Sequence, residues 1–179
     1  MLIDISMAWY NKDMDKTNDS REIIGRSAEL IFTDFSDVPF PAKIDTGAYR
    51  SAIHASDIYL DENNVLHFRL FGNHPVCQEA SFEASATEFN SVVVANSFGD
   101  KETRYEVKLR IRIGDQEFVT PFTLADRQKK IYPILLGRKA LKKRYIIDID
   151  KSGVDRITLK ESFKINLPQD EEQDDDQED

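Results

Sequence analysis

The sequence predicts an all-β, single-domain protein: a closed, barrel-like sheet with one short C-terminal helix. Three observations carry this. Residues 105–113 alternate strictly, with Tyr105, Val107, Leu109, Ile111 and Ile113 apolar and Glu106, Lys108, Arg110 and Arg112 charged between them. That is the two-residue period of a strand with one wet face. Short apolar runs recur between turn clusters, at 42–44, 91–95 and 131–136, as strands do. Helix-forming content is concentrated at 138–144 (Lys139, Ala140, Leu141, Lys142), enough for about two turns.

Taken in order, residues 1–22 are mixed and polar and are expected to form a flexible arm. Residues 23–35 read as the first strand region, and Ser36-Asp37-Val38-Pro39 as a turn. A short apolar strand, 42–44, then delivers Asp45. The spacing of 50–60 fits a helix or a strand equally. Residues 65–71 alternate partly, with Leu66, Phe68 and Leu70 on one face. Residues 79–90 show no clear period, and 96–100 read as a hairpin tip. Gly114-Asp115-Gln116 turns the alternating strand back on itself through 117–124, where Pro121 suggests an edge or a bulge. Residues 131–137 form a second apolar strand ending in glycine; 145–149 and 156–160 read as further strands. The folded domain is expected over 23–160, followed by an acidic, disordered tail at 161–179.

Composition narrows the function classes. The chain has 179 residues, 40% of them apolar, which suits one domain with a core. The formal net charge is −9, but residues 168–179 alone hold eight acids. The rest is nearly neutral, so no basic nucleic-acid surface is expected. The one cysteine, Cys77, excludes an intramolecular disulfide and fits a reducing compartment. No apolar run approaches the roughly 20 residues of a membrane-spanning helix. The first ten residues carry Asp4 and no basic leader, a poor signal peptide. A cytoplasmic protein without membrane attachment is expected.

The chemistry centres on Asp45-Thr46-Gly47-Ala48. A strand ending in a tight turn would present a carboxylate at its tip, with glycine allowing close backbone approach and threonine bracing the turn. Alone, Asp-Thr-Gly is more often an ordinary turn than a catalytic one. Gly137-Arg138 read alone is equally a strand-to-helix turn with a surface cation. Gly99 is more often a plain turn glycine, and Asp126 and Arg127 read as a structural ion pair or exposed turn residues rather than as catalytic. Zinc wants three or four ligands. His54 with Asp57, or His74 with Cys77, offers too few, and His-Glu-x-x-His is absent. No metal or other cofactor is expected, and without a Gly-x-x-x-x-Gly-Lys loop no nucleotide either.

The order of an apolar strand with Asp45-Thr46-Gly47-Ala48, a hairpin with Phe98-Gly99 near its tip, and Ile134-Leu135-Leu136-Gly137-Arg138 before a short helix resembles the single-domain retropepsin plan. More narrowly, Ala42 to Ala48, Ser51 to Ala55, Leu124 to Arg127 and Tyr132 to Arg138 resemble the bacterial RimK-associated retropepsin-like family, earlier labelled an ATP-dependent zinc protease. The resemblance runs from about 24 to 150. It implies an acid-protease barrel and an aspartic endopeptidase in which two subunits each give Asp45. Two carboxylates about 3 Å apart share one proton and titrate as a pair. It implies that Thr46 braces the turn across the dimer and that Gly47 and Ala48 let substrate backbone lie close. Phe98 and Gly99 would belong to a flap, and Gly137 and Arg138 would complete the substrate site. It also implies a link to a ligase that adds glutamates to a ribosomal protein, hence glutamate-rich tails as substrate. The acidic tail of this chain would resemble such a substrate. The alternative is a non-catalytic retropepsin-like binding module in a ribosomal-protein modification complex. One position departs from the pattern: many retropepsins have an acid four residues after the catalytic aspartate, and here it is Tyr49. The partner of Arg138 is therefore open.

Overall fold

The computed structural model describes residues 3–4, 21–77, 80–95 and 101–166. Phe98, Gly99 and residues 167–179 of the acidic tail lie outside them.

Twelve strands and two helices follow in order: β1 Ile3–Asp4, β2 Glu22–Ile24, β3 Ser27–Leu30, β4 Phe40–Ile44, β5 Ser51–Leu60, β6 Leu66–Leu70, β7 Phe82–Ala86, β8 Asn90–Ala95, β9 Lys101–Ile113, β10 Gln116–Ala125, β11 Ile134–Leu136, α1 Arg138–Leu141, β12 Tyr145–Ile147 and α2 Arg156–Asn166. A 3-10 turn, Pro75–Cys77, lies between β6 and β7. The path β1-β7-β6-β5-β10-β9-β8 makes one large sheet, with β11, β4 and β3 branching from β5. A separate parallel pair joins β12 to β2.

β5 is the hub. Its first residues pair parallel with β10 (Ser51 to Phe122, His54 to Ala125) and antiparallel with β11 (Ile53 to Ile134). Its far half pairs with β6 after a register shift between Ser56 and Tyr59, where Asp57 adopts φ 52°. β11 is thus held between β5 and β4, which it meets in parallel register, Leu136 against Ile44. This clamp sets the chain on either side of Asp45.

The expected closed barrel is instead an open sheet. Ile31, just past β3, meets β9 through a bridge to Arg112 (N···O 3.0 and 2.8 Å), and among the described residues no ladder of strand length closes the ring. The β9 alternation holds for Val107, Leu109, Ile111 and Ile113, all buried. Its predicted wet face fails at Glu106, which is only 6% exposed because Arg50 meets it. The β9–β10 turn needs Gly114, at φ +59°. Pro121 pairs with Lys108 on the β9 side, and the β5 ladder starts only at Phe122, so the proline sits where β10 is still an edge. Phe32, Phe40, Phe71 and Phe122 fill the middle; Phe40 and Phe71 stack at 4.3 Å between ring centroids.

Two helices replace the expected one. Residues 156–160, read as a strand, open α2, which runs on to Asn166, into the segment read as tail. Asp155 starts it: Oδ1 accepts the Ile157 N–H (3.0 Å) and Oδ2 accepts the Thr158 hydroxyl (2.8 Å), an N-cap arrangement. These bonds hold the Asp155 carboxyl below its ordinary pKa. Leu159 and Phe163, four apart, are buried, and the Phe163 ring lies 6.3 Å from the His74 ring.

Candidate active site

β4 and β11 place Asp45. Its N–H donates to Leu136 O (3.0 Å), extending the parallel ladder by one bond into the turn. Its Oδ1 then accepts the N–H groups of Gly47 and Ala48, each at 2.9 Å. This Asx-type turn orients the carboxylate by its own loop. A Cβ on Gly47 would lie 3.2 Å from that oxygen, so glycine keeps the loop tight. Asp45 and Ala48 are half-buried; Thr46 and Gly47 are exposed.

Arg138 braces the turn from beneath. Its Nη1 donates to Thr46 O (2.8 Å) and Gly47 O (2.7 Å), and its backbone N–H to Ala48 O (2.9 Å). Lys139 N–H adds a bond to Tyr49 O (3.0 Å). The cation is therefore spent on carbonyls of the Asp45 turn, which answers the absence of an acid at Tyr49. Gly137 is required by contact: a Cβ there would lie 2.3 Å from Arg50 O. Its N–H donates to buried Ser51 Oγ (3.2 Å), whose own carbonyl accepts Thr123 Oγ1 (3.1 Å).

The structure thus brings Asp45, Thr46, Gly47, Ala48, Gly137 and Arg138 into one assembly. Phe98 and Gly99 fall outside the described residues, although β8 and β9 form the antiparallel arms that lead to them, Ala95 paired with Lys101.

The two histidines named as candidate zinc ligands, His54 and His74, are engaged with backbone. His54 Nε2 donates to Gly72 O (2.9 Å) while Nδ1 accepts the Arg127 N–H (2.9 Å). His74 Nε2 donates to Lys130 O (3.0 Å) and Nδ1 accepts the Val76 N–H (3.2 Å). Their rings pack edge to face at 5.1 Å. Burial holds His54 below its ordinary pKa and pushes His74 down to about 4, so both are neutral at pH 7. Among the described residues, no three His, Cys, Asp or Glu side chains are placed to share a metal ion. Burial also raises the Cys77 thiol to about 12, far from a reactive thiolate.

Arg127, read as part of a structural ion pair or as an exposed turn residue, is half-buried, and its backbone N–H and Nε donate to His54 Nδ1 (2.9 Å) and Tyr132 O (3.1 Å). Arg50 and Glu106, ion-paired at 3.2 Å, were missed. An acid on the wet face of a regular strand gives no sign of burial.

Residues 23–156 match the family model described as RimB-like, retropepsin-like aspartic endopeptidase RimB. The chain belongs to the RimB-like family. Curated relatives are named probable alpha-L-glutamate ligase. One from Desulfotalea psychrophila is 26% identical over 131 residues, 72% of this chain and 28% of the relative. Another, from Parasynechococcus marenigrum, is 28% identical over 113 residues, 62% of this chain and 24% of the relative. The RimB-like chain therefore matches less than a third of the length of these relatives. A crystal structure of a Legionella pneumophila protein of unknown function shares the fold, with TM-score 0.58 and 23% identity, covering 74% of this chain and 97% of that one.

Proposed function

We propose that this RimB-like chain is one half of a homodimeric aspartic endopeptidase that cleaves glutamate-rich protein tails. The observation that carries the reading is the Asp45 turn, held by Leu136 and Arg138 with Thr46 and Gly47 exposed around it. The sequence contains a single Asp-Thr-Gly, so the paired carboxylates this chemistry needs come from two copies about a twofold axis.

In that dimer the two Asp45 carboxyl groups share one proton. The unprotonated one takes a proton from a bound water as the water oxygen bonds to the peptide carbonyl carbon. The protonated one gives its proton to the carbonyl oxygen. The tetrahedral adduct then collapses, the C–N bond breaks, and the amine leaves with a proton returned through the carboxyl pair. Thr46 braces the turn across the axis, Ala48 borders the substrate backbone, and the segment containing Phe98 and Gly99 closes as a flap. A glutamate-ligase partner and glutamate-rich tails as substrate are supported by the name glutamate ligase that the curated relatives carry. The reading places the protein in the cytoplasm with that partner.

The test is Asp45→Asn assayed beside wild type on an oligoglutamate-tailed peptide, with light scattering on the same samples. Loss of cleavage in the variant and a mass near twice 20.6 kDa are expected. Equal cleavage by both proteins, or a strict monomer at working concentration, overturns the reading.

A further inference from the structure

The chain that leaves Asp45 is fastened from two directions. From β11 and α1, Gly137 N–H donates to Ser51 Oγ (3.2 Å), Arg138 N–H to Ala48 O (2.9 Å) and Lys139 N–H to Tyr49 O (3.0 Å). From the β9–β10 hairpin come two side chains. Thr123 Oγ1 donates to Ser51 O (3.1 Å), and the Glu106 carboxylate accepts Arg50 Nε (3.2 Å). Glu106 and Thr123 are cross-strand partners on β9 and β10, so their side chains share a face. Both fastenings thus leave one spot of the sheet and reach adjacent residues, Arg50 and Ser51. The Arg50 guanidinium also lies 5.7 Å from the Tyr49 ring centroid, within cation–π range.

Burial makes this pair a constraint, unlike an ion pair in water. Glu106 is 6% exposed, on a stretch of β9 flanked by Asn90 of β8 and Thr123 of β10. Arg50 keeps 34% of its side chain in contact with solvent. Were the pair to part, the arginine could hydrate and the carboxylate could not, and a buried charge without its partner is costly. Arg50 is therefore held to a fixed point. Its backbone is held as well, because Gly137 packs so close that a Cβ there would meet Arg50 O at 2.3 Å. From Arg50 the path to the reacting group is short: Ala48, two residues back, donates its N–H to Asp45 Oδ1 at 2.9 Å.

We infer that Glu106, acting through Arg50, is a positioning residue of the site: it fixes residues 48–51 against β11 and α1 and so aims the Asp45 carboxylate. Its effect on cleavage rests on the peptidase reading; its hold on the chain does not. The test is Glu106→Gln in the full-length protein, which keeps the shape and removes the charge. Neutralising a buried pair can leave a fold as stable as before, so the melting temperature is expected to move little. Amide hydrogen exchange, resolved by NMR, reads the hold on the chain. The Gly137, Arg138 and Lys139 amides should exchange at least about tenfold faster than in wild type, while the amides of β6 keep their rates. A purely structural role would speed both together. On an oligoglutamate-tailed peptide, kcat should fall about tenfold with KM within about twofold, because aim is lost and binding is not. Arg50→Met added to Glu106→Gln should deepen neither effect, since the pair is already broken. If Glu106→Gln does not fold, Arg50→Lys, which keeps the charge without the Nε contact, decides by the same amides. Unchanged exchange at 137–139 in a folded variant, or exchange that rises only in step with β6, overturns the role. So does an unchanged kcat where those amides are loosened, and a further loss in the double variant overturns the path through Arg50. Wild-type protein that never cleaves the peptide, with the amides still loosened in Glu106→Gln, would instead remove the peptidase reading and leave the clamp standing.

Discussion

At the scale of single residues, the Asp45 turn is held by backbone carbonyls and amides as much as by side chains. Arg138 contributes both, so its loss should loosen the turn more than it destabilises the fold. Arg138→Met keeps the backbone bonds to Ala48 and removes those to Thr46 and Gly47. A misplacement of about 1 Å at a reacting group can cost about a hundredfold in rate. Peptide cleavage by this variant should fall by about that factor while its melting temperature moves little; unchanged turnover would show that the brace is dispensable. Gly137→Ala should do the opposite. The new methyl would lie 2.3 Å from Arg50 O, backbone that can yield only by shifting β5 or β11, and overpacking of this kind costs about 1–3 kcal/mol. A chemical denaturation midpoint unaltered by Gly137→Ala would contradict that contact.

At the scale of elements, what could be read from the chain was what local pattern controls. β9 and β6 declared themselves by alternation, and β4 by the apolar run into Asp45. β5 did not, because five consecutive residues, Ser51 to Ala55, are buried: flanked by β10 on one side and β11 on the other, it has no wet face to mark a period. α2 was misread because, among its described side chains, Leu159 and Phe163 are the buried ones while Ile157 is exposed, so its apolar stripe is thin. Asp155 and Thr158 were the missed start signal. The site was legible where a motif is continuous, at Asp45 to Ala48 and Gly137-Arg138. The Arg50–Glu106 pair was invisible because its members lie 56 residues apart in the chain. The thin stripe of α2 has a consequence that can be checked: Phe163→Ala should cost about 3 kcal/mol in unfolding free energy, and a change well under 1 kcal/mol would mean that α2 is not docked in solution. The His54–His74 contact ties the loop after β6 to β5, the His74 Nε2 bond to Lys130 O ties that loop to the one after β10, and the pair sets a lower limit on working pH. His74 holds its proton less tightly folded, with pKa about 4, than unfolded, at 6.5. Between those values the unfolded chain binds more protons, so stability is complete above 6.5 and falls as pH drops toward 4. At about 1.4 kcal/mol per unit, His74 alone removes about 3 kcal/mol by pH 4, and His54 acts in the same direction. Urea unfolding at pH 7 and pH 4.5 should show the loss, whereas equal stabilities would place a proton on neither ring's account. A carboxyl pair that works in this fold is therefore expected to work near neutral pH.

At the scale of the whole molecule, charge is divided between a nearly neutral body and residues 168–179 with their eight acids. If the cleft at Asp45 takes glutamate-rich peptides, those acids compete with them for it. The competition is intramolecular, so it does not depend on protein concentration. Ending the chain at Leu167 should then raise cleavage of an oligoglutamate-tailed peptide severalfold at low salt, and the gain should shrink as salt screens the charges. A separate peptide with the sequence of residues 168–179 should inhibit the shortened protein. That comparison separates occupancy of the cleft from general repulsion. Removing eight negative charges eases the approach of any anion, so a gain from shortening with no inhibition by the separate peptide would assign the effect to net charge and not to the cleft.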